Sequence, residues 1–280
     1  MRKIGVCIAG GGGAGVFQVG MLEALDASVK IESVSGASVG SLNGALYVQG
    51  DLKELRKLWL KIKRRDLFTY SKIFVPLSSS YSNPSGLYNL IDKYVDERKL
   101  AISKKNLYIQ ATNNINYEPK IFKKNYKDIK LALRASSAIP ILFPEVKVDN
   151  EFYVDGGIAD NTPTLPLIAD GCTHIFVLHA HPKSDPIRRT KILRRSRAIT
   201  KTINAMFHSG QKKDLELIKQ INYYVENGWG APHQRYIHLI NIFPLTEVDT
   251  LEFDPHKAKE RMDEGYILAK QAVLPFMEEG

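Results

Sequence analysis

Hydrophobic residues follow two alternating kinds of spacing over the first fifty residues of the chain. Residues 3–9 are apolar on both faces of an extended segment, as in a strand buried within a parallel sheet. Residues 16–27 carry apolar side chains at helical spacing, residues 31–35 form a second apolar run, and residues 39–49 repeat the helical spacing. This strand–helix–strand–helix order favours a parallel sheet covered by helices.

The rest of the chain continues this mixture of helices and strands. Helical spacing predicts helices at 51–65, 86–95, 128–138, 163–169, 196–226 and 256–277. Patterns rich in β-formers predict strands at 106–113, 115–122, 146–154, 173–180 and 235–243, the first two close enough for a hairpin. With no internal repeat, we predict one α/β domain over residues 1–280, with a helical insertion near its C-terminal third.

The positive charge of the chain indicates an anionic partner. Its formal net charge is +9, and the segment from Lys183 to Lys201 contains eight basic residues and one acid, with apolar residues between them. An amphipathic basic segment of this kind can rest on an anionic membrane, although a solvated helix face gives the same pattern. Because the sequence shows no nucleic-acid-binding module, we do not expect a nucleic-acid partner.

Cysteine usage and hydropathy favour a cytoplasmic protein. Cys7 and Cys172 lie in apolar or glycine-flanked settings, which fits buried thiols in a reducing compartment. Residues 4–22 carry no charge but contain seven glycines, so they do not predict a membrane-spanning helix or a signal peptide. We expect contact with a membrane only at its surface.

Gly36-Ala37-Ser38-Val39-Gly40 lies between the second strand and the second helix. A serine on a sharp strand-to-helix turn, with glycine two residues to either side, is the pattern of a nucleophile elbow. The glycines Gly36 and Gly40 allow the strained turn and the close approach of strand and helix. The pentad is weak by itself, because glycine and serine are common in turns.

Gly10-Gly11-Gly12-Gly13-Ala14-Gly15 follows the first strand and also fits a dinucleotide-binding loop. That alternative requires an acid at the end of the second strand, where the sequence has Ser35 to Ser38, and Glu32 lies near the strand's beginning. A phosphate-binding P-loop would need Lys-Ser or Lys-Thr where Val16-Phe17 stands. The remaining chemical use is an oxyanion hole built from backbone N–H groups beside Ser38.

A serine nucleophile needs a general base, and none of the seven histidines lies in a motif that singles it out. An α/β-hydrolase would place its histidine last, at His238 or His256, but several strands normally precede the elbow in that fold. His179 and His181, at a strand end, are more typical of structural histidines. Asp155, which ends a strand and is followed by Gly156 and Gly157, is the alternative base.

Four motifs together resemble the bacterial patatin-like phospholipases. They are GGGGAG at residues 10–15, GASVG at 36–40, RASSAIPILFPEV at 134–146 and YVDGGIADNTP at 153–163, and they occur in the family's order over roughly the first 180 residues. The resemblance implies a three-layer α/β/α fold with a mainly parallel central sheet. The remaining residues, 182–280, match less specifically.

The resemblance also implies a Ser–Asp dyad, with Ser38 as nucleophile and Asp155 as base. The implied oxyanion donors are the N–H groups of Gly11, Gly12 and Gly13, and the implied turn-forming glycines are Gly10, Gly15, Gly36, Gly40, Gly156 and Gly157. Ala14 stands where the family often has Arg or Lys, which is expected to affect loop position rather than the backbone donors. No metal or other cofactor is implied.

The sequence therefore predicts a lipid acyl hydrolase acting on phospholipids or lysophospholipids. The loop from Asp66 to Pro84, with Phe68, Tyr70, Phe74 and Tyr81, is a candidate lid over acyl chains. Two alternatives stay open: a catalytically silent lipid- or partner-binding protein on the same fold, and a nucleotide-binding oxidoreductase.

Overall fold

The computed structural model describes residues 2–68, 82–183, 211–231 and 234–278. Two predicted features lie largely outside these ranges. The candidate lid is described only at its two ends, so Tyr70, Phe74 and Tyr81 are not included, and the basic segment is described only at Lys183. A single domain over the whole chain stays a prediction.

The described part of the chain contains ten α-helices, eight strands and two short 3-10 helices, Gly12–Gly15 and Gly156–Ile158. The strands are β1 (Ile4–Ile8), β2 (Ser33–Ala37), β3 (Asn106–Asn113), β4 (Pro119–Lys123), β5 (Val146–Val148), β6 (Glu151–Asp155), β7 (His174–Leu178) and β8 (His238–Ile242). The helices are α1 (Val16–Asp26), α2 (Val39–Val48), α3 (Leu52–Trp59), α4 (Arg64–Leu67), α5 (Ser85–Tyr94), α6 (Glu97–Ile102), α7 (Ile129–Ser136), α8 (Leu165–Ala169), α9 (Gln211–Glu226) and α10 (Pro255–Glu278).

The eight strands form one mixed sheet with a parallel centre. Strands β3, β2, β1, β7 and β8 lie side by side in that order and run parallel, while β4 pairs antiparallel with the outer edge of β3. Side chains of β1 alternate between two cores: Val6 and Ile8 pack toward α1, α2 and α10, and Cys7 packs toward α8 and α9. Helices on both faces confirm the predicted α/β/α architecture.

The ends of β2 and β6 meet on one edge of β3. Strand β2 pairs along that edge up to its last residue, Ala37, which lies opposite Gln110. Strand β6 pairs with the next part of the edge in the antiparallel direction, and its last residue, Asp155, lies opposite Ala111. Both must lie on the same side of β3, because β4 occupies its other side opposite Ala111. Two carboxyl ends that approach from opposite directions therefore meet at neighbouring positions of β3.

Several predicted elements need correction. Residues 146–154 form a hairpin rather than one strand, because Asp149 and Asn150 both adopt positive φ and reverse the chain after three residues. The helix predicted at 51–65 is two helices, α3 and α4, and α6 was not predicted at all. The strand predicted at 115–122 is confirmed as the hairpin partner of β3, but it begins only at Pro119.

Helix α10 packs closely against α1 through small residues. A Cβ on Gly20 would stand 1.8 Å from the carbonyl oxygen of Met262, and a Cβ on Gly265 would stand 2.1 Å from the carbonyl oxygen of Phe17. Backbone atoms of the two helices are thus in direct contact on both sides of the crossing. In the described ranges, every helix is too short or too polar to cross a membrane.

We expect Gly20→Ala to lower the free energy of unfolding by about 2 kcal/mol or more, because the backbone of α10 cannot move aside without disturbing the core. Gly44→Ala is the matched control: Gly44 is also helical, and its added Cβ would meet a Val34 methyl group at 3.1 Å. Since alanine gains about 1 kcal/mol of helix propensity at both sites, Gly44→Ala should stay within about 1 kcal/mol of wild type. Urea unfolding of both variants tests this; equal stabilities would contradict the close packing.

Candidate active site

Ser38 occupies a strained turn between β2 and α2. Its backbone has φ 53° and ψ −130°, a conformation that non-glycine residues rarely adopt. A Cβ on Gly36 would stand 2.6 Å from the backbone of Gly40, and a Cβ on Gly40 would stand 2.0 Å from the carbonyl oxygen of Ile8. The geometry is that of the predicted nucleophile elbow.

One short stretch at the end of α7 holds both members of the predicted dyad in place. The Ser38 N–H donates to the carbonyl oxygen and to Oγ of Ser136, both at 3.1 Å. Two residues later, the carbonyl oxygen of Ala138 accepts the Asp155 N–H at 2.9 Å. Residues 136–138 therefore fix the nucleophile relative to the carboxylate.

Asp155 is a fully buried carboxylate with an altered acidity. Its Oδ1 accepts the N–H of Gly157 at 2.8 Å, and its Oδ2 has no well-formed hydrogen bond within the described residues. Burial raises the pKa of Asp155 to about 7, although hydrogen bonding from the Ser38 hydroxyl and from the Gly157 N–H opposes the rise. A carboxylate with a pKa near 7 is a stronger base than an ordinary aspartate, at about 3.9.

The structure places the side chains of Ser38 and Asp155 close to each other, and their roles as nucleophile and base stay predictions. The Ser38 hydroxyl is close enough to lower the pKa of Asp155, yet the two side chains lack the distance and angle of a well-formed hydrogen bond. Catalytic hydrogen bonds are often long or misaligned before substrate binds.

His179 and His238, two of the histidines considered as alternative bases, have contact partners other than Ser38. His179 bonds to Asn241 through Nε2 at 2.9 Å, and His238 stacks on His174 at the opposite end of the strands. No described hydrogen bond joins a histidine to Ser38. His181 lies closer to the site, with Nε2 3.2 Å from the position that a Cβ on Gly11 would take.

The glycine loop after β1 lies directly beside Ser38. A Cβ on Gly10 would stand 3.0 Å from Cβ of Ser38, so only glycine allows this approach. The Asn161 side chain holds the loop, accepting the Gly10 N–H at 3.0 Å and donating to the Gly10 carbonyl oxygen at 3.3 Å. The N–H groups of Gly11 and Gly12 have no hydrogen-bond acceptor in the described part of the chain.

Gly13 differs from its neighbours. Its N–H donates to the carbonyl oxygen of Thr250 at 2.8 Å. This bond contradicts the expectation that Gly13 offers a free N–H to an oxyanion, whereas Gly11 and Gly12 stay predicted donors. The sequence could not show the contact, because Thr250 is remote in the chain and only its backbone takes part.

The segment around Thr250 is pressed against the glycine loop and anchored to α10. A Cβ on Gly12 would stand 2.2 Å from the carbonyl oxygen of Thr250, and a Cβ on Gly13 would stand 1.9 Å from that of Glu252. The Glu252 carboxylate forms an ion pair with Arg261 at 2.5 Å. The C-terminal part of the chain, where the sequence motifs are least informative, is therefore part of the site.

An apolar pocket of about 100 Å³ opens beside Ser38. This volume is smaller than that of most small-molecule sites, about 300–1,000 Å³, so the pocket is narrow. Phe68, at the start of the candidate lid, lies in the pocket wall and stacks on Phe143 with ring centroids 5.3 Å apart. The apolar lining comprises Val39, Leu42, Leu46, Leu55, Leu58, Trp59, Ile62, Leu67, Phe68, Leu87, Leu90, Ile91, Tyr94, Val95, Ile139, Phe143, Leu251 and Phe253.

Three supporting polar residues were not predicted, although two of them lie within the motifs. Ser136 and Asn161 fall within the quoted motif stretches, where a polar side chain able to hydrogen-bond is the feature that could have pointed to them. Gln110 donates to the carbonyl oxygens of Gly156 at 2.9 Å and Asp160 at 2.5 Å, and so supports the turn after Asp155. Within the described ranges, no group of three or more His, Cys, Asp or Glu side chains is placed to hold a metal ion.

Comparison with protein families gives a match over the first part of the chain. A family model described as "Patatin-like phospholipase" matches residues 6–168, more than half of the 280 residues. Lysophospholipase NTE1 of Cryptococcus neoformans is 26% identical over 191 residues, 63% of this chain and 11% of that protein. Lysophospholipase NTE1 of Saccharomyces cerevisiae is 23% identical over 190 residues, 66% of this chain and 11% of that protein. The chain thus spans about a tenth of the curated relatives that it matches.

Two solved structures share the fold. VipD from Legionella pneumophila superimposes with a TM-score of 0.57 at 17% identity, covering 97% of this chain and 66% of that one. The type III effector protein ExoU gives a TM-score of 0.50 at 12% identity, covering 99% of this chain and 54% of that one. These similarities confirm the predicted fold class, whereas a bacterial origin of this chain stays a prediction.

Two adjacent serines give opposite stability predictions. Ser137 is 4% exposed, and its Oγ is buried with no hydrogen-bond partner in the described residues, whereas Ser136 Oγ accepts the Ser38 N–H. We expect Ser137→Ala to raise the free energy of unfolding by about 1 kcal/mol, and Ser136→Ala to lower it by about 1–2 kcal/mol. Urea unfolding measures both, and a loss of stability in Ser137→Ala would contradict the assignment of an unsatisfied hydroxyl.

The raised pKa of Asp155 predicts pH-dependent stability. An unfolded aspartate ionises near pH 3.9, so ionising the folded carboxyl at about 7 costs stability that grows as the pH rises between these values. Asp155→Asn removes that cost. The variant should match wild type near pH 3 and exceed it by a few kcal/mol near pH 8, since one pKa unit corresponds to about 1.4 kcal/mol.

Asp170 is the control for this experiment. Hydrogen bonds from Ser33, Asn106, Lys3 and Tyr108 outweigh burial and hold the pKa of its carboxyl below the usual value. The sign is therefore reversed: the stability that Asp170→Asn loses relative to wild type should grow as the pH rises toward about 4 and stay constant at higher pH. Urea unfolding at several pH values compares the two variants; parallel pH dependences would contradict the opposite pKa shifts.

Proposed function

Since the chain belongs to the patatin-like phospholipase family, matched over residues 6–168, we propose that it hydrolyses fatty acyl esters of phospholipids or lysophospholipids through an acyl-Ser38 intermediate, with Asp155 as general base. The observation that carries this proposal is the position of Ser38 in the lining of an apolar pocket, with a buried carboxylate of raised pKa, that of Asp155, close to its hydroxyl.

In the first step, Asp155 takes the proton of the Ser38 hydroxyl as Oγ attacks the ester carbonyl carbon. Negative charge moves to the carbonyl oxygen, which the N–H groups of Gly11 and Gly12 stabilise. Each such donor contributes about 3–4 kcal/mol in enzymes where it has been removed. The C–O bond to the leaving group then breaks, and Asp155 returns the proton to the departing alcohol oxygen.

In the second step, water attacks the carbonyl carbon of acyl-Ser38. Asp155 accepts a proton from that water, the same two N–H groups hold the oxyanion, and the bond to Ser38 Oγ breaks with return of the proton to the serine. The fatty acid is released and the dyad is restored. A carboxylate with a pKa of about 7 suits both directions of proton transfer near neutral pH.

The substrate class is supported by the pocket and by the names of the relatives. The lining beyond Ser38 is almost entirely apolar, which favours a hydrocarbon chain over a polar group. Two curated relatives are called lysophospholipases, which supports a single-chain phospholipid as one substrate. Both are about nine times longer than the matched part, so the activity of the whole relatives is transferred only as part of this proposal.

We further propose a cytoplasmic protein that contacts anionic membrane at its surface. The net charge of +9 supports this, as does the basic segment from Lys183 to Lys201, which lies outside the described residues apart from Lys183.

Different features of the site count against the two alternatives, the silent binding protein and the oxidoreductase. A silent binding protein would not require the carboxylate of raised pKa beside the serine. An oxidoreductase would need its glycine loop open to a pyrophosphate, whereas the carbonyl oxygens of Thr250 and Glu252 lie against Gly12 and Gly13. Glu32 also lies before β2, at the end of the strand remote from Ser38.

The test is hydrolysis of phospholipid and lysophospholipid vesicles by wild type, Ser38→Ala and Asp155→Asn. We expect each variant to lose at least about 1,000-fold in rate, because each removes one half of the acyl-transfer machinery. Wild-type rates in both variants would rule out the dyad.

Two further readouts separate the alternatives. A fluorophosphonate probe should label wild type and leave Ser38→Ala unlabelled; an unlabelled wild type would favour the silent binding protein. The wild-type rate should rise with pH and reach half its maximum near pH 7, because only the ionised form of Asp155 accepts the serine proton. A bound nicotinamide absorbance would support the oxidoreductase.

A further inference from the structure

Helices α3 and α4 form one wall of the pocket with their apolar side. Leu55, Trp59 and Leu67 are buried in the core, and all three line the pocket beside Ser38. The wall is a single layer of helix, so its outer surface lies about 10 Å from the space where an acyl chain would bind.

The outer side of the same two helices is basic. Residues 51–68 contain seven lysines and arginines and three acids, and every one of the seven except Arg56 is exposed. The three acids are engaged: Asp51 pairs with Lys99 at 2.9 Å, Glu54 pairs with Lys57 at 2.7 Å, and Asp66 accepts the Lys63 backbone N–H at 2.8 Å. Residues 51–68 keep a net charge of +4, seven basic minus three acidic residues.

Four cations on this surface have no carboxylate within 4.0 Å in the described part of the chain. They are Lys53, Lys61, Lys63 and Arg65, which we call the α3–α4 basic face. Leu60 lies among them with 36% of its surface exposed, so one apolar side chain accompanies the four charges. Four unpaired cations beside an exposed leucine differ from a helix face covered with internal ion pairs.

We infer that the α3–α4 basic face docks on an anionic phospholipid bilayer, a role that rests on the proposed lipid hydrolase function. The charges would contact the headgroups and Leu60 would enter the interfacial region. Because the other side of the same helices lines the pocket, docking would hold the pocket within one helix diameter of the lipid surface. This face is separate from the basic segment at 183–201.

The experiment measures cosedimentation with vesicles of phosphatidylcholine, with and without phosphatidylserine. All proteins carry Ser38→Ala, so the vesicles are not consumed. One variant reverses the face, with Lys53→Glu, Lys61→Glu, Lys63→Glu and Arg65→Glu. The matched control reverses four exposed lysines elsewhere that also lack ion pairs, with Lys104→Glu, Lys120→Glu, Lys123→Glu and Lys259→Glu.

We expect the parent to prefer the phosphatidylserine vesicles and to lose affinity as salt is raised. One cation near an anionic surface contributes about five-fold in affinity, so the face variant should bind at least about 50-fold more weakly. The control should lose less than about five-fold. Equal binding by the two variants would overturn the proposal, as would unchanged vesicle binding together with lost binding to duplex DNA.

Thermal unfolding checks that both variants fold. Should the glutamate variant unfold, the four glutamine substitutions at the same positions replace it, with an expected loss of at least about 10-fold. Hydrolysis of p-nitrophenyl butyrate by the protein with Ser38 intact needs no membrane. Its absence would count against the hydrolase function, whereas vesicle binding reports the α3–α4 basic face alone.

Discussion

The register of three strands determines where Ser38 and Asp155 stand. Strand β2 ends opposite Gln110 and β6, which runs the other way along the same edge of β3, ends opposite Ala111, so the two strand ends face one another. A slip of β6 by one residue would turn every side chain of that strand to the other face of the sheet and carry the carboxylate away from the serine. Ser136 and Ala138 add hydrogen bonds that hold the two ends at this register.

The site combines several features that a stable core avoids. Ser38 has a positive φ, Asp155 is buried without a cationic partner in the described residues, and the Ser137 hydroxyl is buried without a hydrogen bond. Each of these features lowers the stability of the fold, and all three lie around the end of β2, where the proposed chemistry takes place. The two packed cores on either side of the sheet supply the stability that offsets them.

Much of the architecture could be predicted because its signals are local. Apolar runs and helical spacing identified the parallel strands β1, β2 and β7, and the glycines at 36 and 40 identified the elbow. The hairpin at 146–155 was missed although Asp149 and Asn150 interrupt the alternation with two consecutive turn-forming residues, and their positive φ angles show the reversal. Consequently Asp155 was placed at a strand's carboxyl end without the knowledge that the strand runs antiparallel to β3.

The remaining gaps concern backbone contacts between distant segments, which side-chain patterns do not encode. The bond from Gly13 to Thr250 joins residues more than two hundred positions apart, and any residue type at position 250 could offer the same carbonyl oxygen. The clasp between Asn161 and Gly10 is more accessible to prediction, because asparagine can both donate to and accept from one peptide group.

The contact between the C-terminal segment and the glycine loop limits how the chain can be divided or recombined. The matched residues, 6–168, end before β7 and before α10, which covers Gly20. A fragment trimmed to those residues would lose the pocket wall at Phe253 and the acceptor for the Gly13 N–H. The smallest transplantable unit is therefore larger than the motif-bearing region, and a chimaera built on this scaffold must take residues 248–278 from the same parent as α1.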